Sequence, residues 1–286
     1  MRWGLGVISA VRPVPTVQGT INSIRNAWGY SDQIYVFQEP DCSLLDFRDD
    51  DGIAVIRRPN GSSEVNGIVP SPEGRFGNFQ NWVQAAADLL DLEPDAEAFL
   101  ICEDDALINV TSRDVVEGRL WPADDCGVVS LYCATRKSLQ RRQPALTKPL
   151  EPGLFGCVAA VYPRMVLEAL VTDPDVATFA GSVNQRNPRP WERKAVDTWI
   201  GKRLGEYGLS VWVFSPSLAC HSIPPGMKEN SSLQHGQHTM GRKEWKWVGL
   251  TNDATGVYAP SERFSLEKMN QWLKERIDAS HRQNPE

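Results

Sequence analysis

The sequence predicts an α/β domain built on a Rossmann-like, mostly parallel central sheet flanked by helices. Two observations predict it. Apolar runs of strand length alternate with segments whose apolar residues recur at helical spacing. No internal repeat and no linker-like stretch divides the 286 residues, which suits one large domain. Strands separated by helices pair in parallel, so the loops after the strand ends form one functional edge.

Residues 4–10 make the first strand, followed by a polar turn and a helix over 16–27 with Val17, Ile21 and Ile24 on one face. Strands over 33–38 and 52–57 come next. A helix over 78–90 aligns Phe79, Trp82, Val83, Ala86 and Leu90 in one stripe, and Pro94-Asp95 breaks the chain before a strand over 98–102. Farther on, strands are expected over 126–133 and 153–161, the latter running into Pro163 and a helix over 164–171. Residues 180–193, rich in Asn, Arg and Pro, read as a mobile loop of the kind that carries ligand contacts. A helix over 196–207, a strand over 209–214 and an amphipathic helix over 262–277 complete the chain. One domain is expected, with a first half over 1–110, a second over 111–260, and a C-terminal helix and tail over 261–286.

The bulk numbers exclude some partners. Net charge is −6 and the pI about 5.4, whereas nucleic-acid binders usually show a basic face. The pairs Arg136-Lys137 and Arg141-Arg142 are short enough to be solvated surface. No run of 18 apolar residues exists, so no membrane span is expected. The N-terminal stretch turns polar too soon for a signal peptide and reads as the first strand. Of the cysteines Cys42, Cys102, Cys126, Cys133, Cys157 and Cys220, none forms a CxxC pair and four sit in apolar runs. They read as reduced core residues of a cytoplasmic protein, with a Cys126–Cys133 disulfide as the alternative.

The chemistry centres on Glu103-Asp104-Asp105, immediately after Phe-Leu-Ile-Cys. Like charges crowded beside a low-dielectric core invite either protonation or a cation. Glu103 and Asp105, two residues apart, can point to the same side and reach one hard ion; Mg²⁺ or Mn²⁺ takes oxygen ligands and commonly binds carboxylates together with substrate phosphates. The plain alternative is a strand cap followed by an acidic turn.

Several segments in order resemble the GT-A-fold, nucleotide-sugar-dependent glycosyltransferases of the family-2-like superfamily. They are Val7-Ile-Ser-Ala-Val-Arg12 and the helix after it, Ile34-Tyr-Val-Phe-Gln-Glu-Pro-Asp41, and the helix over 78–90 leading to Phe99-Leu-Ile-Cys-Glu-Asp-Asp105. The last is similar to that family's DxD motif, here Glu-x-Asp. Leu154-Phe-Gly-Cys-Val-Ala-Ala-Val-Tyr-Pro163 is similar to its glycine-containing acceptor strand. Val196-Asp-Thr-Trp-Ile-Gly201 resembles the segment carrying its catalytic base, and Val213-Phe-Ser-Pro-Ser-Leu-Ala-Cys-His221 the segment whose histidine completes the metal shell.

The resemblance, spanning roughly residues 4–225, implies a single GT-A-like domain with a nucleotide-sugar-binding first half and an acceptor-side second half. It implies Mn²⁺ or Mg²⁺ held by Asp105, Glu103 and His221, a nucleoside-diphosphate sugar as donor and a carbohydrate or other hydroxyl as acceptor. Asp197 would be the base of a direct inverting displacement; as a first-turn acid it would otherwise serve the helix dipole. The sequence departs from the family pattern in having Glu103 first and a third acid, Asp104, between; Asp104 is expected to contact the donor's ribose. The uridine-reading place falls to Glu39 or Asp41. Arg12 is expected at the nucleotide or its phosphates. Arg75, in Gly-Arg-Phe-Gly before a helix N-terminus, is a similar candidate, as more weakly are Arg57 and Arg58.

Of ten tryptophans, Trp191, Trp199, Trp245 and Trp247 fall in the acceptor half, with Trp191 the favoured sugar-stacking ring. His235 and His238 either close over the diphosphate or lie in a polar surface loop. No GxGxxG or P-loop pattern supports dinucleotide or ATP binding. Two rival functions share this type of sheet. A sugar-nucleotide nucleotidyltransferase would want a glycine-rich first loop with Lys and Arg, where this chain has Ser9-Ala-Val-Arg-Pro-Val-Pro15. A catalytically silent carbohydrate-binding protein would not need Glu103, Asp105, Asp197 and His221 together.

Overall fold

The computed structural model describes residues 1–10, 15–39, 42, 52–58, 78–132, 145–147, 154, 156–176, 196–215 and 217–221, and single residues between 271 and 282. Its first half is a run of parallel strands with helices between them: β1 (Trp3–Ser9), α1 (Val17–Trp28), β2 (Ile34–Gln38), β3 (Ile53–Arg57), α2 (Asn78–Leu92) and β4 (Ala98–Glu103). Then come β5 (Ala106–Ile108), α3 (Ser112–Glu117), β6 (Cys126–Ser130), β7 (Ala145–Thr147), β8 (Ala159–Pro163), α4 (Arg164–Val171), α5 (Val196–Glu206), β9 (Ser210–Ser215) and β10 (Ala219–His221).

Eight strands form one sheet in the order β3-β2-β1-β4-β8-β6-β9-β7. β3, β2, β1 and β4 are mutually parallel. β8 then runs antiparallel between β4 and β6, β9 returns parallel to β6, and β7 closes antiparallel to β9. The antiparallel pairings of the main sheet thus gather in the second half. A separate antiparallel pair, β5–β10, stands beside the main sheet.

Burial explains the elements. All seven residues of β1 are buried, as suits a central parallel strand covered on both faces. Val17, Ile21, Ile24 and Trp28 form the inner stripe of α1, and Phe79, Trp82, Val83, Ala86 and Leu90 that of α2. α2 packs on β1 and α4. α5 is tied to the segment after α4 by Arg203, whose Nε donates to Asp173 at 2.7 Å, while the Tyr207 hydroxyl donates to the same carboxylate. That tie sets the axis of the helix whose first turn carries Asp197.

Two expected strands are shorter than the sequence pattern. β6 ends at Ser130 because the Ser130 hydroxyl donates to the Tyr132 carbonyl and accepts the Tyr132 N–H, which removes that residue from the ladder. The strand expected from residue 153 begins only at Ala159, since Gly156 adopts φ +81° and bends the chain ahead of it. β5, β7 and β10, each of three residues, carry no periodicity of their own and are additions. The loop over 180–193 and most of the helix expected over 262–277 lie outside the described residues.

β1 carries glycine where the packing leaves no room. A Cβ at Gly4 would stand 2.5 Å from Phe99 Cδ1, in a ring that is itself fully buried. Gly4→Ala is expected to lower unfolding stability by about 1–3 kcal/mol through overpacking. Urea denaturation would show it as a lower midpoint at unchanged slope.

Candidate metal and donor site at the C-terminal sheet edge

Parallel strands end together, so their C-terminal residues share one edge. The registers Ser9↔Gln38 and Ile8↔Glu103 bring Ser9, Glu39 and Glu103 to that edge. The Glu39 N–H donates to the Ser9 carbonyl at 3.0 Å, which extends the β1–β2 pairing by one step. Glu39 therefore stands, half-buried, where the second strand leaves the sheet.

The three consecutive acids separate by direction. Asp104 is 2% exposed; its Oδ2 accepts the Ser9 hydroxyl at 3.2 Å and the Ala10 N–H at 3.1 Å, and its carbonyl accepts the Thr20 hydroxyl at 2.7 Å. This corrects the expectation that Asp104 meets the donor's ribose. Its carboxylate is turned inward to hold the end of β1 and the start of α1, from the turn between β4 and β5, where the Ser9 hydroxyl and the Ala10 N–H offer it donors. Glu103 and Asp105 instead gather with each other.

His221 reaches them through the small second sheet. β10 pairs antiparallel with β5 in the register His221↔Ala106, which sets the imidazole beside the residue before Ala106. His221 Nδ1 lies 3.3 Å from Asp105 Oδ1. Glu103, Asp105 and His221 each present a ligand atom, and these atoms lie within 4.8 Å of one another. Two carboxylates and one imidazole suit Mn²⁺ or Mg²⁺, with the remaining positions left to water and phosphate oxygens.

Asp197 approaches from the second half of the sheet. Its Oδ2 accepts the Gly156 N–H and its Oδ1 the Thr198 N–H, both at 2.7 Å. Each oxygen keeps a further lone pair for another donor. The residue is half-buried in the first turn of α5. Cys157 is pushed well above the usual thiol range by burial, then by the charges of Glu103 and Asp197. Burial, then Glu103, raises Cys102; burial is also the main cause at Cys220, with Asp105 adding to it. Burial leads at Cys42 too, with Glu39 and Asp104 contributing. The thiols around the acids are therefore held as neutral S–H groups, poor nucleophiles and poor ligands. The described cysteines are all free, Cys126 among them, and Cys133 lies outside the described residues.

Other expected residues divide. Arg58 is anchored in the fold: Nη1 pairs with Asp88 Oδ2 at 2.5 Å, and the guanidinium lies over the Phe37 ring. Arg57 is exposed at the end of β3. Trp199 is 3% exposed and packs edge-on against Phe79, which makes it core instead of a sugar platform. Arg12, Asp41, Arg75, Trp191, His235, His238, Trp245 and Trp247 lie outside the described residues. Two neighbours of the site had no signal in the sequence. Tyr132 packs edge-on against His221 at 5.4 Å, and Ser9 binds Asp104 from 95 residues away.

No protein-family model and no curated protein matches the chain. Solved structures do. GalNAc-T7 with UDP, GalNAc and Mn²⁺ aligns over 96% of this chain and 55% of its own, at 9% identity and a TM-score of 0.50. The chain thus spans little more than half of GalNAc-T7. The mannosyltransferase PcManGT from Pyrobaculum calidifontis, in complex with GDP-Man and Mn²⁺, aligns over 99% of this chain and 74% of its own, at 13% identity and a TM-score of 0.43. By the superposition on GalNAc-T7 and the strand order above, this chain has the GT-A fold.

Proposed function

We propose that this protein is a metal-dependent glycosyltransferase that moves a sugar from a nucleoside-diphosphate donor to a hydroxyl acceptor. One observation carries the reading: Glu103, Asp105 and His221 converge at the C-terminal edge of the parallel strands. Ligands of open α/β sheets bind at that edge. A bound Mn²⁺ or Mg²⁺ would neutralise charge on a diphosphate leaving group. That GalNAc-T7 and PcManGT were solved with Mn²⁺ and a nucleotide or nucleotide sugar supports the same donor class here.

In this reading Asp105 and Glu103 are the oxygen ligands and His221 binds as neutral imidazole. Asp104 acts indirectly, by fixing the loop after β1. Glu39, and Arg12 and Arg75 from outside the described residues, are assigned to the nucleotide and its phosphates. Asp197 takes the acceptor's hydroxyl proton as the acceptor oxygen bonds to the anomeric carbon. The bond from that carbon to the diphosphate oxygen breaks, and its electron pair leaves with the diphosphate. Attack from the face opposite the leaving group inverts the anomeric configuration and needs no sugar–enzyme bond. The hydrogen bonds from Gly156 and Thr198 hold the Asp197 carboxylate in one orientation for that transfer.

No helix among the described residues is long and apolar enough to cross a membrane. The free thiols support a reducing, cytoplasmic setting.

The test is incubation with a panel of nucleotide sugars, with and without Mn²⁺, following release of nucleoside diphosphate. Pyrophosphate released from a nucleoside triphosphate instead would identify a nucleotidyltransferase, and no nucleotide binding in any metal would identify a silent binding protein. Asp105→Ala is expected to abolish Mn²⁺-dependent donor binding, measured by calorimetry, with the circular dichroism spectrum unchanged; wild-type turnover in that variant would sink the metal assignment. Asp197→Asn is expected to keep donor affinity and lower transfer by at least about 100-fold. If transfer survives, the base is another group.

A further inference from the structure

Tyr132 lies two residues past β6 and is 4% exposed, yet its ring meets both parts of the site. On one side it packs edge-on against the His221 imidazole, with centroids 5.4 Å apart and planes at 72°. On the other side is Gly156, at φ +81°. A Cβ there would stand 3.2 Å from the ring's Cε1 and 3.3 Å from its Cδ1. The Gly156 N–H is the group that donates to Asp197 Oδ2. A hydrogen bond thus joins Asp197 to Gly156, the Tyr132 ring leaves little room for a side chain at Gly156, and that ring packs on His221.

The backbone beneath this ring is clamped. Ser130 Oγ donates to the Tyr132 carbonyl at 2.8 Å and accepts its N–H at 3.2 Å. Leu131 donates to the Ala159 carbonyl of β8 at 2.9 Å and accepts the N–H groups of Leu218 and Ala219 at 2.7 and 3.0 Å. The segment bearing Tyr132 is therefore bonded both to β8 and to the approach of β10, the strand that carries His221. In an interior of close-packed density, a ring held this way passes a displacement on to its neighbour.

We infer that Tyr132 is a positioning residue that sets His221 against Glu103 and Asp105, and that Gly156 is glycine so that this ring and the Asp197 carboxylate are held as one unit. The inference rests on the metal reading above, but it is tested on Mn²⁺ binding alone, with no turnover. Its closest measure is the effect of outer residues that orient a metal-binding histidine, which typically change metal affinity by about 10-fold or more.

The experiment is Mn²⁺ titration followed by the electron paramagnetic resonance of the free ion, on variants checked by circular dichroism. Gly156→Ala is expected to weaken binding about 10-fold although it removes no ligand atom. In a Tyr132→Leu background, itself weakened about 10-fold, the same substitution is expected to cost clearly less than in wild type, because the ring it strikes is gone and only the strain of alanine at a left-handed φ remains. Tyr132→Phe, which keeps the ring and loses only the hydroxyl, should stay within about 2-fold of wild type. If Gly156→Ala does not fold, the Tyr132→Phe and Tyr132→Leu pair decides. Equal loss from Gly156→Ala in both backgrounds, no loss in either, or Phe as damaging as Leu overturns the inference and leaves the metal site standing. A folded wild-type chain that binds no Mn²⁺ overturns the metal reading, and the inference with it.

Discussion

Three carboxylates in succession at the end of a buried strand cannot share one place without a countercharge, and the site follows from how the chain divides them. Asp104 and Asp105 stand in the turn between β4 and β5, and there Asp104 is drawn to the end of β1 while Glu103 and Asp105 gather with His221. Asp104 is then compensated by donors inside the fold, Ser9 and the Ala10 N–H, with its own carbonyl taken by Thr20. These contacts bind β4 to the end of β1 and the first turns of α1. The acid turned inward therefore shapes the loop in front of the two acids turned outward.

The outward pair is completed from far along the chain. His221 comes from a three-residue strand whose partner, β5, begins immediately after Asp105. A ladder that short is weak by itself. It is held because Leu218 and Ala219 bond back to Leu131 and because Cys220 and Ala219 are fully buried. The same Leu131 segment brings Tyr132 against His221, and Gly156 lies on that ring's other side. The carboxylate of Asp197 is in turn held by Gly156 and by the start of α5, whose axis depends on the buried Arg203–Asp173 pair. Metal ligands and candidate base are thus set by one packed body, and the neutral thiols of Cys102, Cys157 and Cys220 fill the spaces among the acids without competing for a cation.

Much of the frame was legible in the sequence because burial imprints periodicity. The stripe Phe79, Trp82, Val83, Ala86 and Leu90 identified α2, and the apolar run 98–102 identified β4, since each buries a face against the sheet. The short elements were not legible: β5, β7 and β10 have three residues each, too few to show a period. Trp199, one of four tryptophans placed in the acceptor half, is core; a ring at one helix position carries no mark of which side the helix buries. Asp104 was read as donor-facing, because the direction of one acid among three depends on which neighbours offer hydrogen bonds.

Asp197 and His221 were named through the family resemblance; by itself the sequence determined the alternation of strands and helices and the placing of three acids at a buried strand's end. Those are local facts, written in apolar spacing and residue type. Tertiary structure alone decided that Glu103, Asp105 and His221 meet within 4.8 Å, that Asp104 turns to Ser9, and that Tyr132 packs on His221 beside Gly156. The first two depend on partners far along the chain, His221 on Ala106 and Asp104 on Ser9 95 residues away, and backbone hydrogen bonds of the kind that join β5 to β10 leave no trace in residue type.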